Sequence, residues 1–187
     1  MLYLNDDIEH FDLVRALPLL SSQRLQQCMQ YKHEQGRREN AAAYLLLCEG
    51  LRQEYGISEP PLFTFGDNGK PLLQDYPHIH FNLSHCCKAV VCVVDSRPVG
   101  VDIEVIGRYK ESLARYTMND CELASILASP EPAVAFARLW TMKEAVLKLS
   151  GTGIAVSSLK DVLTGSEAIT TVVEKSKGYV YSICKQI

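Results

Sequence analysis

The chain has 187 residues, of which 47% are hydrophobic and 22% charged. That balance excludes disordered and collagen-like classes, and the length buries a core without disulfides or a structural metal. A net charge of −3, from 19 Lys and Arg against 22 Asp and Glu, excludes a general basic surface for nucleic acid, so any basic patch must be local. No apolar run approaches the ~18 residues of a membrane span. Asp6, Asp7, Glu9 and Asp12 crowd the N-terminus, where a signal peptide needs a basic start and an apolar middle. The expectation is a cytoplasmic protein with neither membrane nor nucleic acid as partner. The 7 cysteines contain no Cys-x-x-Cys and do not pair with the 5 histidines at ligand spacing. They read as reduced, small core residues, not as disulfides or a zinc site.

Residues 1–20 read as a short strand and a connection ending near Pro18. Ser21 or Ser22 caps a helix from about Gln23, with Leu25, Cys28 and Met29 at helical spacing and Gly36 interrupting or ending it. Ala41, Tyr44, Leu45, Cys48, Leu51 and Tyr55 form one apolar face of the next helix, and Gly56 suits its C-terminal cap. Residues 62–65 read as a strand, followed by the turn Gly66-Asp67-Asn68-Gly69. Residues 79–83 are a short strand and 89–94 a buried one. Asp95-Ser96-Arg97-Pro98 then turns the chain, and 99–105 returns as the partner in an antiparallel hairpin. A polar, helix-prone stretch covers 111–127 and breaks at Pro130 and Pro132. Residues 136–149 form a strong helix closed by Ser150-Gly151-Thr152-Gly153. Two strands, 168–174 and 179–184, join at Lys177-Gly178. Hairpins mixed with helices predict an α+β fold.

Several groups of residues can carry chemistry. On a strand, Val101, Ile103 and Val105 share the core face, which leaves Asp102 and Glu104 together on the other, roughly 7 Å apart. Two carboxylates that close repel unless a cation sits between them; otherwise they are two solvated acids on an edge strand. Trp140, Glu144 and Lys148 share one helical stripe, which is either an ordinary Glu–Lys pair or one wall of a site. Ser84 and His85, in Phe81-Asn82-Leu83-Ser84-His85, end a strand where they can meet a ligand; as neighbours on a strand they point apart and make no catalytic dyad. Gly69-Lys70-Pro71 follows a turn, and Lys70 is a point charge suited to phosphate, although the phosphate-loop pattern is absent. Lys32, Arg37 and Arg38 form a basic connection around Gly36.

Taken in order, Gly69-Lys70-Pro71, Phe81-Asn82-Leu83-Ser84-His85, Gly100-Val101-Asp102-Ile103-Glu104 and residues 139–148 (Leu-Trp-Thr-Met-Lys-Glu-Ala-Val-Leu-Lys) resemble the 4′-phosphopantetheinyl transferases, specifically their longer single-chain type. The resemblance covers about residues 24–160, and its last two motifs in tandem are the specific ones. It implies an enzyme of the holo-[acyl-carrier-protein] synthase type. Such an enzyme moves the phosphopantetheine arm of coenzyme A onto a serine of an apo acyl or peptidyl carrier protein and releases adenosine 3′,5′-bisphosphate. It implies magnesium, held by Asp102, Glu104 and Glu144. Lys148 is the implied pyrophosphate ligand. Ser84 and His85 contact the phosphates of coenzyme A, with His85 at the 3′-phosphate, and Lys70 and Pro71 form the nucleotide-binding turn. Arg38, or its neighbour Arg37, contacts the phosphate end. The general base is Glu144 or Glu122, with Glu122 favoured because a carboxylate on magnesium is a poor base. Trp140 is implied as a packing anchor, and Lys143 has no assigned role.

The implied fold is two similar lobes about a pseudo-two-fold axis, residues 1–97 and 98–187, in a monomer with coenzyme A between them. Arg108, Lys110 and Arg115 follow the metal-binding strand and either face an acidic carrier helix or form a solvated basic loop. Two rivals remain at this point: another magnesium-dependent phosphotransferase or phosphohydrolase using the same acids, and a non-catalytic carrier-binding protein that kept the fold.

Overall fold

Val90 to Val94 are an unbroken apolar run, and every one of these residues is buried. The structure, a computed structural model that describes residues 1–66, 68–152, 156–165 and 168–186, shows why. In chain order its elements are β1 (Leu2–Asn5), α1 (Leu13–Ala16), α2 (Ser22–Gln30), α3 (Glu34–Tyr55), β2 (Phe63–Phe65), β3 (Pro71–Leu73), β4 (His80–His85), β5 (Val90–Asp95), β6 (Val99–Val105), α4 (Glu111–Thr117), α5 (Asp120–Ala128), α6 (Pro132–Ser150), β7 (Ala168–Glu174) and β8 (Tyr179–Lys185). Strand β5 is the middle of an antiparallel sheet ordered β1, β5, β4. On one face Cys92 and Val94 pack with Leu47 and Leu51 of α3. On the other, Val91 and Val93 pack with Val99, Val101 and Ile103 of β6. A strand covered on both faces has no polar alternation to show.

The expected hairpin of residues 89–94 with 99–105 does not form. Both edges of β5 are already paired, with β1 and β4, so the turn at Asp95 to Pro98 carries the chain into a second antiparallel sheet, ordered β6, β8, β7. The two sheets stack through the apolar residues named above. Strand β4 meets β6 without a ladder. Instead, Asn82 Oδ1 accepts from the Val101 N–H at 2.9 Å and Ser84 Oγ from the Ile103 N–H at 3.3 Å. These side chains satisfy backbone donors that an edge strand would otherwise leave buried and unpaired.

Each half of the chain thus holds a three-stranded antiparallel sheet and one long helix, α3 or α6. The expected boundary at residues 97 and 98 lies in the turn between the sheets, and the core of Val91, Val93, Val101 and Ile103 runs across it. Helix α6 lies directly on β6 at Gly100. A Cβ there would fall 2.0 Å from the Ala145 carbonyl oxygen and 2.5 Å from the Leu149 nitrogen, so only glycine admits this approach. Gly100→Ala is expected to cost about 2 kcal/mol or more, since overpacking against backbone cannot be relieved by a side-chain rotation. An unchanged urea midpoint would contradict this packing.

Three local expectations are corrected. Gly36 lies in the first turn of α3, not at the end of α2, and accommodates the Tyr31 ring, which a Cβ would meet at 2.6 Å. The stretch 111–127 is two helices, because Asn119 and Glu122 form a reciprocal capping box that starts α5. Pro132 stands in the first turn of α6, where its missing N–H costs nothing. Of the cysteines, Cys28, Cys86, Cys92 and Cys184 are buried, whereas Cys87 and Cys121 are exposed. Gly153 of the closing glycine pair lies outside the described residues. Among those residues, no helix is long and apolar enough to cross a membrane.

Candidate active site

With Val101 and Ile103 turned toward β5, Asp102 and Glu104 face α6. Asp102 Oδ1 accepts hydrogen bonds from Lys148 Nζ at 2.6 Å and from Ser84 Oγ at 2.8 Å. Glu104 accepts through one oxygen from the Val105 N–H and through the other from Arg108. The Arg108 guanidinium lies over the Trp140 ring, 4.4 Å from its centre. Ser84, His85, Asp102, Glu104, Glu144 and Lys148 line one cavity of about 330 Å³, with Arg108 and Trp140 on its wall.

Glu144 carries the largest electrostatic perturbation of these acids. Burial, and then the charge of Asp102, push its carboxyl up to about 7, while Lys148 and Arg108 pull it back. A raised carboxyl means that the native state holds a proton the unfolded chain has released. The stability this gives is complete below about pH 4.5 and is lost as pH rises through about 7. The wild type is therefore expected to lose about 3 kcal/mol across that window relative to Glu144→Gln. Urea midpoints at pH 5 and pH 8 check this, and parallel profiles for the two proteins would contradict it.

A second cavity, of about 320 Å³, shares Leu83 and Lys148 with the first and is also lined by Lys70, Pro71 and Asn82. Lys70 Nζ donates to the carbonyls of Lys148 and Leu149 at 2.7 and 2.9 Å, so it closes the open end of α6. Burial lowers its pKa. A third cavity shares Pro71 with the second and is lined by Arg24, Gln27, Tyr31, Asn40 and Phe65. Neighbouring cavities thus share lining residues from the carboxylates to α2 and α3.

Of the expected site residues, Asp102, Glu104, Glu144, Lys148, Ser84 and His85 share the first cavity, and Lys70 and Pro71 line the second. Arg38 and Glu122 line none of the three. Arg38 donates to the Glu9 carbonyl and to Glu34, and Arg37 donates to the Tyr31 carbonyl, so both arginines brace the entry to α3. Glu122 accepts from the Asn119 N–H and from Lys143 Nζ, the latter at 2.5 Å. Lys143, 1% exposed, also donates to the Leu159 carbonyl. Glu122 therefore balances the buried Lys143 charge and lies outside the cavity of the carboxylates. Arg108, expected on a carrier-facing loop, belongs to the cavity; its spacing of four from Glu104 was the available signal. Arg115 pairs along α4 with Glu111.

Magnesium prefers oxygen donors and commonly keeps waters and phosphate oxygens among them. Three carboxylates around one cavity suit it; burial is the main cause that raises Glu144, and the Asp102 charge, the second cause, is one that a cation would offset. Among the described residues, no three acidic, histidine or cysteine side chains are gathered as a ready metal cage. Lys148 and Arg108 supply the counter-charge to Asp102 and Glu104 instead.

The family profile described as ACPS, 4′-phosphopantetheinyl transferase superfamily, matches residues 98–183, the segment that carries β6 and α6. The 4′-phosphopantetheinyl transferase HetI of Nostoc sp. is 32% identical over 158 residues, covering 79% of this chain and 67% of that protein. The chain belongs to the 4′-phosphopantetheinyl transferase superfamily. Two further transferases are similar. Sfp of Bacillus subtilis is 26% identical over 83% of this chain and 70% of its own length, and psf-1 of Bacillus pumilus is 30% identical over 81% and 66%. The chain thus spans about two thirds of the length of these transferases. In this member, the family profile ends inside β8 and takes in every carboxylate of the cavity, while Lys70, Ser84 and His85 come from the half of the chain that precedes it.

Proposed function

We propose that the protein is a holo-[acyl-carrier-protein] synthase type enzyme that transfers 4′-phosphopantetheine from coenzyme A to the serine hydroxyl of an apo acyl or peptidyl carrier protein. One observation carries this reading: three carboxylates and Lys148 line one cavity, and two neighbouring cavities, sharing first Lys148 and then Pro71, reach α2 and α3. A compact phosphate substrate needs only the first cavity. A long donor with a pyrophosphate in its middle matches the whole run.

In this reading the serine oxygen bonds to the phosphorus bearing pantetheine, and the bond from that phosphorus to the bridging oxygen breaks. Adenosine 3′,5′-bisphosphate leaves with the electron pair. Asp102, Glu104 and Glu144 would hold magnesium, which supplies charge neutralisation at the pyrophosphate. Lys148 moves its hydrogen bonds from Asp102 and Ser84 to phosphate oxygens. Ser84 offers its hydroxyl to the same group, and His85 takes the 3′-phosphate. Because a carboxylate on magnesium is a poor base, the serine proton leaves through a water held beside Glu144 and not to Glu144 directly. Pro71 and the third cavity receive the nucleoside. There, among the described residues, Arg24 Nε and Asn40 Oδ1 are buried without a hydrogen-bond partner, suited to the polar edge of a base. Lys70 serves by fixing the end of α6.

Release of adenosine 3′,5′-bisphosphate from coenzyme A tests the proposal. It should require both magnesium and an apo carrier, one equivalent per carrier modified. Release without a carrier would support the hydrolase reading instead. A folded protein that binds coenzyme A yet releases nothing with any carrier would support the non-catalytic one.

A further inference from the structure

Glu39 is a buried carboxylate that the proposed chemistry does not use. It stands on α3 and is 9% exposed. One of its oxygens is 2.9 Å from His85 Nδ1, and the other accepts from Gln35 Nε2 at 2.9 Å. Burial alone would raise this carboxyl, but the hydrogen bonds from His85 and Gln35 outweigh it and hold the group below its ordinary value. It is therefore an anion at neutral pH. An anion at Nδ1 keeps a proton on that nitrogen and fixes the plane of the ring, as a carboxylate behind a ligating histidine does. Nε2 is the nitrogen left for the cavity that His85 lines. The His85 side chain is 40% exposed, so a ligand can reach it while Glu39 stays covered.

We propose that Glu39 is a positioning residue that holds His85 ready for the 3′-phosphate of the donor, and so makes this chain discriminate coenzyme A from 3′-dephospho-coenzyme A. The inference rests on the transferase reading above. When the ring carries both protons, each nitrogen donates one charge-assisted bond, Nδ1 to Glu39 and Nε2 to the phosphate. Gln35 keeps the carboxylate from following the phosphate. Of the other cations of the cavity, Arg108 is paired with Glu104 and Lys148 is assigned to the pyrophosphate in the reading above, which leaves His85 for the 3′-phosphate. Without Glu39 the ring turns about its side-chain bonds and presents either nitrogen.

Calorimetric titration of both donors, with magnesium, into wild type, Glu39→Gln, His85→Gln and the double variant tests this. The wild type should prefer coenzyme A. Glu39→Gln should weaken coenzyme A about tenfold, the loss of one charge-assisted bond, and leave 3′-dephospho-coenzyme A unchanged. In the His85→Gln background it should do nothing further, and Glu39→Asp should restore part of the preference. Should Glu39→Gln fail to fold, Gln35→Leu, which frees the carboxylate without removing it, should erode the same preference. Equal weakening of both donors, or unchanged affinity for coenzyme A, would overturn the assignment. So would a wild type that binds both donors alike. A wild type that binds neither overturns the transferase reading itself, and this assignment with it.

Discussion

Glu144→Gln is expected to lower transfer about 10²- to 10⁴-fold, the span for removing a positioned acid–base group, while the protein still folds and still binds coenzyme A. The amide keeps the volume of the side chain in its buried place on α6 but gives an anionic oxygen neither to magnesium nor to the water through which the serine proton leaves. Because burial and Asp102 both oppose the charge of Glu144, the variant should be more stable than the wild type at pH 8, not less. Gain of stability together with loss of turnover is the signature of a site residue, whereas a packing residue would lose both. Single-turnover transfer beside urea unfolding measures the two. Turnover near wild type would remove Glu144 from the mechanism.

The second large effect lies outside the cavity. Lys143→Met is expected to destabilise by about 3 kcal/mol or more, because it strands Glu122 beside an apolar side chain and removes a donor to the Leu159 carbonyl. Glu122→Gln should cost a similar amount from the other side, leaving a buried ammonium without its counter-charge. Replacing both at once, as Lys143→Met with Glu122→Leu, should cost clearly less than the two single losses combined, since neither charge is then stranded. Strict additivity of the unfolding free energies would show that the pair does not act as a unit. Unimpaired folding of Glu122→Gln with abolished transfer would return Glu122 to the chemistry.

What could be read from the sequence follows the range over which each cause acts. The extent of β6 and the two last strands show in local apolar patterning, and Val99–Val105 is a strand as expected. Its pairing does not show, because the choice between joining β5 and joining β8 depends on whether β1 and β4 have already taken both edges of β5. The same limit applies to the site. Asp102, Glu104, Glu144 and Lys148 sit on regular elements at fixed spacing, so their shared cavity follows once α6 packs on β6. Arg38 and Glu122 had the right chemistry for a phosphate or a proton. The partners that engage them, Glu34 and Lys143, were in plain view, but nothing local distinguishes an ion pair that braces the fold from one that awaits a substrate. The Glu39–His85 contact joins positions far apart on α3 and β4 and carries no local signal at all.

The intact mass of an apo acyl carrier protein, after incubation with this protein, coenzyme A and magnesium and beside an EDTA control, tests the central claim most directly. The account predicts a gain of one phosphopantetheine that disappears with EDTA and falls by at least about a hundredfold in rate with Glu144→Gln. No gain on acyl, peptidyl or aryl carriers, from a folded protein that binds coenzyme A, would contradict it.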